Sequence, residues 1–348
     1  MTAVQTPEKW QPKDYASDQE VRWCPGCGDY AILKAVQRTL ADIQADPANT
    51  VFVSGIGCAA RFPYYMATYG FHGIHGRAPA LATGVKLANP DLDVWVISGD
   101  GDALSIGGNH LLHVLRRNVD LQMLLFNNEI YGLTKGQYSP TSHAGTTSPS
   151  TPTGSLEAPV NACAYALGCG ARFVARSVDT LQKDLPRVLE RAQAHRGASF
   201  VEILQNCIVY NNGVFGHFTD KTVQAEAQVH VVHGEPLIFG TNRDKGLRFN
   251  PARIAIEVIE LGPDGDGMDE VIVHDETNLR LAQMLAALEP PMPVAMGVLY
   301  CNPADRYDRL VHDQVRAMRA DKGLAEGEQP DIDALIKSGH TWTIGGEA

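Results

Sequence analysis

Four short apolar runs, separated by helix-period stretches, leave this chain few architectures to choose from. They are residues 50–54 (TVFVS), 93–98 (DVWVIS), 120–126 (DLQMLLF) and 199–204 (SFVEIL). Short runs rich in apolar residues, bounded by Gly, Asn or polar turns, read as strands buried on both faces. Helical patterns lie before and between them at 29–43, 78–88, 107–117, 156–167 and 180–195. This alternation predicts an α/β fold, a mostly parallel sheet with helices on both faces. Such sheets bind ligands outside the carboxyl ends of their strands. The residues that follow Ser54, Ser98, Phe126 and Leu204 are therefore where chemistry is expected.

The chain has 348 residues, enough to build a core without a disulfide or a metal to hold it. Its formal net charge of −11 argues against a nucleic-acid partner that needs phosphate neutralisation and against an anionic membrane. The charge is local: residues 1–220 carry a net −2 and residues 221–348 a net −9. An anionic ligand is easier to accommodate in the nearly neutral part. Residues 1–11 are polar, without the apolar core of a signal peptide, and the apolar runs are strand-sized. A cytoplasmic location is expected, where cysteines serve as thiols, catalytic groups or metal ligands rather than disulfides.

Seven cysteines are present. Cys24 and Cys27 form a C-x-x-C in the segment WCPGCG, which opens a helical pattern. Alone it fits a redox dithiol, a zinc half-site or an iron–sulfur half-site. A redox motif should follow a strand within a βαβ unit, and here only a polar segment precedes it. The glycines allow close backbone approach, and the nearby helix start favours thiolate at Cys27. Cys58 follows the strand ending at Ser54, and Cys207 follows the strand ending at Leu204. Cys163, Cys169 and Cys301 lie in or beside apolar patterns and read as small packing residues. The natural set of four is Cys24, Cys27, Cys58 and Cys207. Four thiolates suit structural zinc or an iron–sulfur cluster, and spacing does not separate the two.

Gly99-Asp100-Gly101-Asp102 follows a second strand end, and Asn127-Asn128 follows a third. The glycines let backbone N–H groups approach phosphate oxygens, and Mg²⁺ takes oxygen ligands shared between protein and phosphate. A lone GDGD is ordinarily a tight turn, and Asp102 could be a helix N-cap. The joint pattern is more specific: G-D-G, 26 residues, then Asn, each part at a strand end. It resembles the thiamine diphosphate fingerprint, which implies that Asp100, Asn128 and the carbonyl of Ile130 hold Mg²⁺ against a diphosphate.

In order, the chain carries WCPGCG, GIGC, HGR, GDGD, NNEIYGLTKGQ and a later cysteine. That set resembles the β subunits of the 2-oxoacid:ferredoxin oxidoreductases over about residues 20–250. The resemblance implies that Cys24, Cys27, Cys58 and Cys207 ligate one 4Fe–4S cluster. It also implies a thiamine diphosphate and Mg²⁺ site at Ile56, Gly57, Cys58, His75, Gly76, Gly99, Asp100, Gly101, Asp102, Asn128, Ile130, Tyr131 and Gly132. His75 could equally be a histidine of a Gly-rich loop. Leu133 would border the substrate pocket. Lys135 stands where pyruvate-type members commonly carry Gly, so TKGQ favours 2-oxoglutarate or a broad 2-oxoacid range. An ammonium there gives the second carboxylate of 2-oxoglutarate a partner, although an exposed lysine is the plain alternative.

The implied reaction is oxidative decarboxylation of a 2-oxoacid with coenzyme A, with electrons passing through the cluster to ferredoxin. The family's activating glutamate belongs to the α subunit, so no residue here, Glu129 included, is given that role. An αβ or (αβ)₂ assembly is implied, with no nucleic acid and no membrane. The expected organisation is an N-terminal segment over 1–20, a cofactor-binding domain over 21–250 and a C-terminal extension over 251–348 that packs on it. The rivals are the same chemistry on pyruvate or another 2-oxoacid and, more remotely, a zinc-stapled subunit without catalysis.

Overall fold

The computed structural model describes residues 9–324, 328, 331–342 and 344. The expected N-terminal segment and C-terminal tail lie partly outside these residues. All four expected strands form, within a residue of their expected bounds: β1 (Thr50–Ser54), β3 (Asp93–Gly99), β4 (Leu121–Asn127) and β8 (Ala198–Leu204), with β2 (Tyr69–His72) after β1. Four more elements complete the chain as far as β9: the hairpin β5 (Ile130–Tyr131) and β6 (Gln137–Tyr138), then β7 (Phe173–Val178) and β9 (Gln228–Val231). β10 (Ile238–Phe239), β11 (Lys245–Asn250) and β12 (Ala255–Glu260) form a small antiparallel sheet, and β13 (Val294–Cys301) returns to the main one.

The main sheet has eight strands in the order β2-β1-β3-β4-β8-β7-β13-β9. Its pairings are parallel except β13 with β7. Every residue of β1, β4, β7 and β8 is buried, because helices cover both faces. On one face lie α2 (Ala78–Ala88), α4 (Gly108–Arg117) and α5 (Ala162–Gly168), packed through Leu111, Leu115 and Phe200. On the other lie α1 (Asp29–Asp42) and α6 (Asp184–Ala194), packed through Ile32, Leu40, Leu185 and Ile203.

Two expectations are corrected, and a third, the helix over 107–117, forms with an addition before it. The helix expected over 156–167 begins only at Ala162, where Asn161 caps it by accepting from the Ala164 amide at 3.0 Å. The helix expected from residue 107 is preceded by a one-turn helix, α3 (Asp100–Leu104), which starts directly at the end of β3. The boundary at 250 is not where the chain divides. β13 lies inside the main sheet, and the second compact unit begins at Arg309. Tyr15, in the expected N-terminal segment, is fully buried, and its hydroxyl donates to the Leu40 carbonyl at 3.0 Å. Among the described residues no helix is long and apolar enough to cross a membrane.

Candidate functional site

The carboxyl ends of β1, β3, β4 and β8 lie side by side in the parallel sheet, and a cavity opens beyond those of β1, β3 and β4. Ile56, Gly57, Cys58, His75, Gly99, Asp100, Gly101, Asp102, Asn128, Ile130, Tyr131, Gly132 and Leu133 all line it. Gly76 sits just behind, its amide donating to Asp102 Oδ1 at 2.7 Å. Gly57 has φ +132° and nothing within 4 Å of where a Cβ would stand, so it leaves room that a side chain would fill.

Asp100 is buried, and its Oδ2 accepts from Ser139 Oγ at 2.5 Å and Thr141 Oγ1 at 2.7 Å. Among the described residues no cation pairs with it. Burial raises its pKa, against the hydroxyl hydrogen bonds that lower it. A buried carboxylate without a counter-ion, facing a cavity beside the amide oxygen of Asn128, suits an oxygen-liganded cation such as Mg²⁺. Asn128 Oδ1 accepts from the Ile130 amide at 3.2 Å, which leaves a lone pair for such an ion. Ser139 and Thr141 were not foreseen; the signal was the hydroxyl-rich SPTS within the irregular segment over 135–154.

Asp102 caps nothing in its own helix. Its carboxylate accepts from Gly76 N at 2.7 Å, Ile56 N at 3.3 Å and Ser98 Oγ at 2.5 Å. It also meets His75 Nδ1 in a short contact. One buried side chain thus ties the loops over 55–57 and 75–76 to the end of β3. Gly55 has to be glycine here, because a Cβ would stand 2.0 Å from Asp102 Oδ2.

The four selected cysteines lie on neighbouring segments: Cys27 is within electrostatic reach of Cys58 and Cys207, and Cys58 within reach of Cys24 and Cys207. Gly28 N donates to the Asn206 carbonyl at 3.2 Å, joining the C-x-x-C turn to the loop that bears Cys207. Trp23 Nε1 donates to the Cys58 carbonyl at 2.7 Å. A Cβ on Gly132 would lie 3.5 Å from Cys207 Sγ and 3.7 Å from Cys58 Sγ. The expected thiolate bias at Cys27 is not found: burial first, then the Asp29 carboxylate, pushes its thiol up. The same two causes raise Cys58 to about 11. An iron core would reverse this, since a metal-bound thiol is deprotonated. No three or more His, Cys, Asp or Glu side chains among the described residues converge on a single-ion point. Four thiols carried on three loops are a donor set of the kind that an iron–sulfur cluster takes, and structural zinc takes the same set.

Leu133 is 44% exposed at the cavity mouth. Lys135 is at the exposed tip of the β5–β6 hairpin, with φ +76°, and does not line the cavity. Glu129 lines a second cavity together with His143 and the Arg176–Glu202 ion pair, itself 2.7 Å long. Burial, and then the Asp100, Glu202 and Glu289 charges, raise Glu129 to about 8.

Residues 55–203 match the family model described as thiamine pyrophosphate enzyme, C-terminal TPP binding domain. The chain is 46% identical to the 2-oxoglutarate oxidoreductase subunit KorB of Mycobacterium tuberculosis, over 97% of this chain and 90% of that protein. It is 47% identical to subunit beta of the 2-oxoacid:ferredoxin oxidoreductase 1 of Aeropyrum pernix, over 55% of this chain and 60% of that protein. Among solved structures, the 2-oxoglutarate:ferredoxin oxidoreductase from Magnetococcus marinus, with 2-oxoglutarate, coenzyme A and succinyl-CoA bound, superposes with a TM-score of 0.75. That match has 33% identity and covers 96% of this chain and 97% of the other.

Proposed function

Because the chain belongs to the β subunits of the 2-oxoacid:ferredoxin oxidoreductases, we propose that it supplies the thiamine diphosphate and cluster half of an αβ enzyme. That enzyme oxidises 2-oxoglutarate with coenzyme A to succinyl-CoA and carbon dioxide and reduces ferredoxin. One observation carries the reading: Cys58 and Gly132 share a cavity wall with Asp100 and Asn128. The diphosphate-type residues and one of the four thiols, Cys58, thus line one cavity.

When bound, thiamine diphosphate supplies the nucleophilic carbon and electron sink for decarboxylation, and a 4Fe–4S cluster supplies a one-electron acceptor. Asp100, Asn128 and the Ile130 carbonyl would hold Mg²⁺. Gly101 makes room for the Tyr131 ring, while Gly57 and Gly99 leave space for phosphate oxygens. Asp102 holds His75 and the Ile56 and Gly76 amides in place around them. Cys24, Cys27, Cys58 and Cys207 would ligate the cluster. Leu133 excludes water at the mouth, and Lys135 offers the distal carboxylate of 2-oxoglutarate an ammonium once an α subunit covers the cavity. The names and ligands of the relatives support 2-oxoglutarate and coenzyme A. A pyruvate-type reading keeps one observation in its favour, the exposure of Lys135 away from the cavity wall.

The test is co-purification with the α subunit under anaerobic conditions, followed by iron and sulfide analysis and electron paramagnetic resonance. About four irons per chain and cluster reduction by 2-oxoglutarate that depends on coenzyme A are expected. A colourless protein holding one zinc would overturn the reading.

A further inference from the structure

Gln205 follows the last residue of β8 and is 1% exposed. Its backbone N–H donates to the Asn127 carbonyl at 2.8 Å, which extends the β4–β8 ladder and pins its Cα between the two strand ends. Its side-chain Oε1 accepts from Asn128 Nδ2 at 2.7 Å. Its Nε2 donates to the Asn206 carbonyl at 2.6 Å and to Cys27 Sγ at 3.2 Å. A primary amide has one acceptor oxygen and two N–H donors, and here each of the three has a partner. No other standard side chain of this length offers that set.

The two outer partners belong to different sites. Asn128 is the amide of the proposed Mg²⁺ set, and Cys27 is a thiol of the proposed cluster set. We propose that Gln205 is a positioning residue joining the two, orienting Asn128 for the cation while donating a hydrogen bond to a cluster sulfur; this rests on the functional reading above. With Asn128 Nδ2 engaged by Gln205, its Oδ1 is turned away from Gln205 and left available to a cation. An N–H directed at a cluster sulfur stabilises the more negative, reduced state and so raises the reduction potential. Outer partners of this kind tune both ligand orientation and metal electronics. The same side chain therefore links the tightness of cofactor binding to the driving force for electron transfer.

The experiment uses the αβ holoenzyme carrying Gln205→Met, which keeps the volume and removes the side-chain hydrogen bonds. Gln205→Asn is its milder companion, too short to reach both partners from a pinned backbone. Iron content and half-saturating Mg²⁺ are measured, with the midpoint potential from redox titration followed by electron paramagnetic resonance. Both variants are expected to keep full iron, to have a lower potential than wild type, and to need about tenfold more Mg²⁺. A potential equal to wild type in iron-replete variants would overturn the inference and leave the functional reading intact. A shift in only one of the two readouts would overturn the claim that one side chain serves both sites. A wild-type holoenzyme without a reducible cluster would overturn the functional reading and this inference with it.

Discussion

Thr141 Oγ1 donates to Asp100 Oδ2 at 2.7 Å, from 41 residues further along the chain. The hydroxyl occupies one oxygen of the carboxylate, so the loop over 139–142 sets how the rest of Asp100 is presented to a cation. Thr141→Val removes that hydrogen bond at constant shape. The Mg²⁺ needed for half-maximal thiamine diphosphate binding should rise about tenfold, while Ser139 keeps the fold in place. Calorimetric titration at graded Mg²⁺ checks this, and unchanged affinity would refute the role given to the loop.

Asp102 accepts from two backbone amides on two different loops. Asp102→Ala would leave the Ile56 and Gly76 amides, both of which donate to Oδ1, without their acceptor. The expected loss is about 1–3 kcal/mol of stability together with weaker cofactor binding. Urea denaturation of the variant, with and without thiamine diphosphate, measures both. A variant as stable as wild type would mean that the loops are held by other contacts.

Lys135→Ala separates the substrate readings. Loss of the ammonium should raise KM for 2-oxoglutarate severalfold and leave pyruvate turnover unchanged, because only 2-oxoglutarate has a distal carboxylate. Equal effects on the two substrates would place Lys135 outside substrate recognition.

His195 lies at the amino end of β8, away from the cavity, and burial lowers its pKa to about 4. In the unfolded chain it takes up a proton as pH falls through about 6.5, whereas in the fold it resists until about pH 4. Stability is therefore complete above about pH 6.5 and is lost as pH drops from there toward 4, by at most about 3 kcal/mol. His195→Gln should flatten this dependence, seen as a smaller difference between urea midpoints at pH 7.5 and pH 5. An equally steep dependence in the variant would assign the acid lability elsewhere.

The four strands that carry the site were legible because they are almost wholly apolar and end in turn residues. β7 was not, because Arg176 interrupts it; the charge is tolerated only because Glu202 of β8 pairs with it at 2.7 Å. β13 was missed because Gly297, at φ +111°, interrupts its apolar run next to a bulge. The false helix start at residue 156 reflects a weak apolar period that Asn161 overrides by capping five residues later.

By itself the sequence determined which strand ends carry the glycines, the carboxylates and the cysteines, and the family to which they point. These are local patterns, set by the period of buried strands and by the residues that can follow them. Only the tertiary structure decided how those groups meet. It put two hydroxyls on Asp100, made Asp102 a clamp between two loops, set Gln205 between Asn128 and Cys27, and left Lys135 outside the cavity wall. Each relationship joins segments far apart in the chain. Hydrogen-bond geometry across such distances exists only once the sheet has aligned its carboxyl ends.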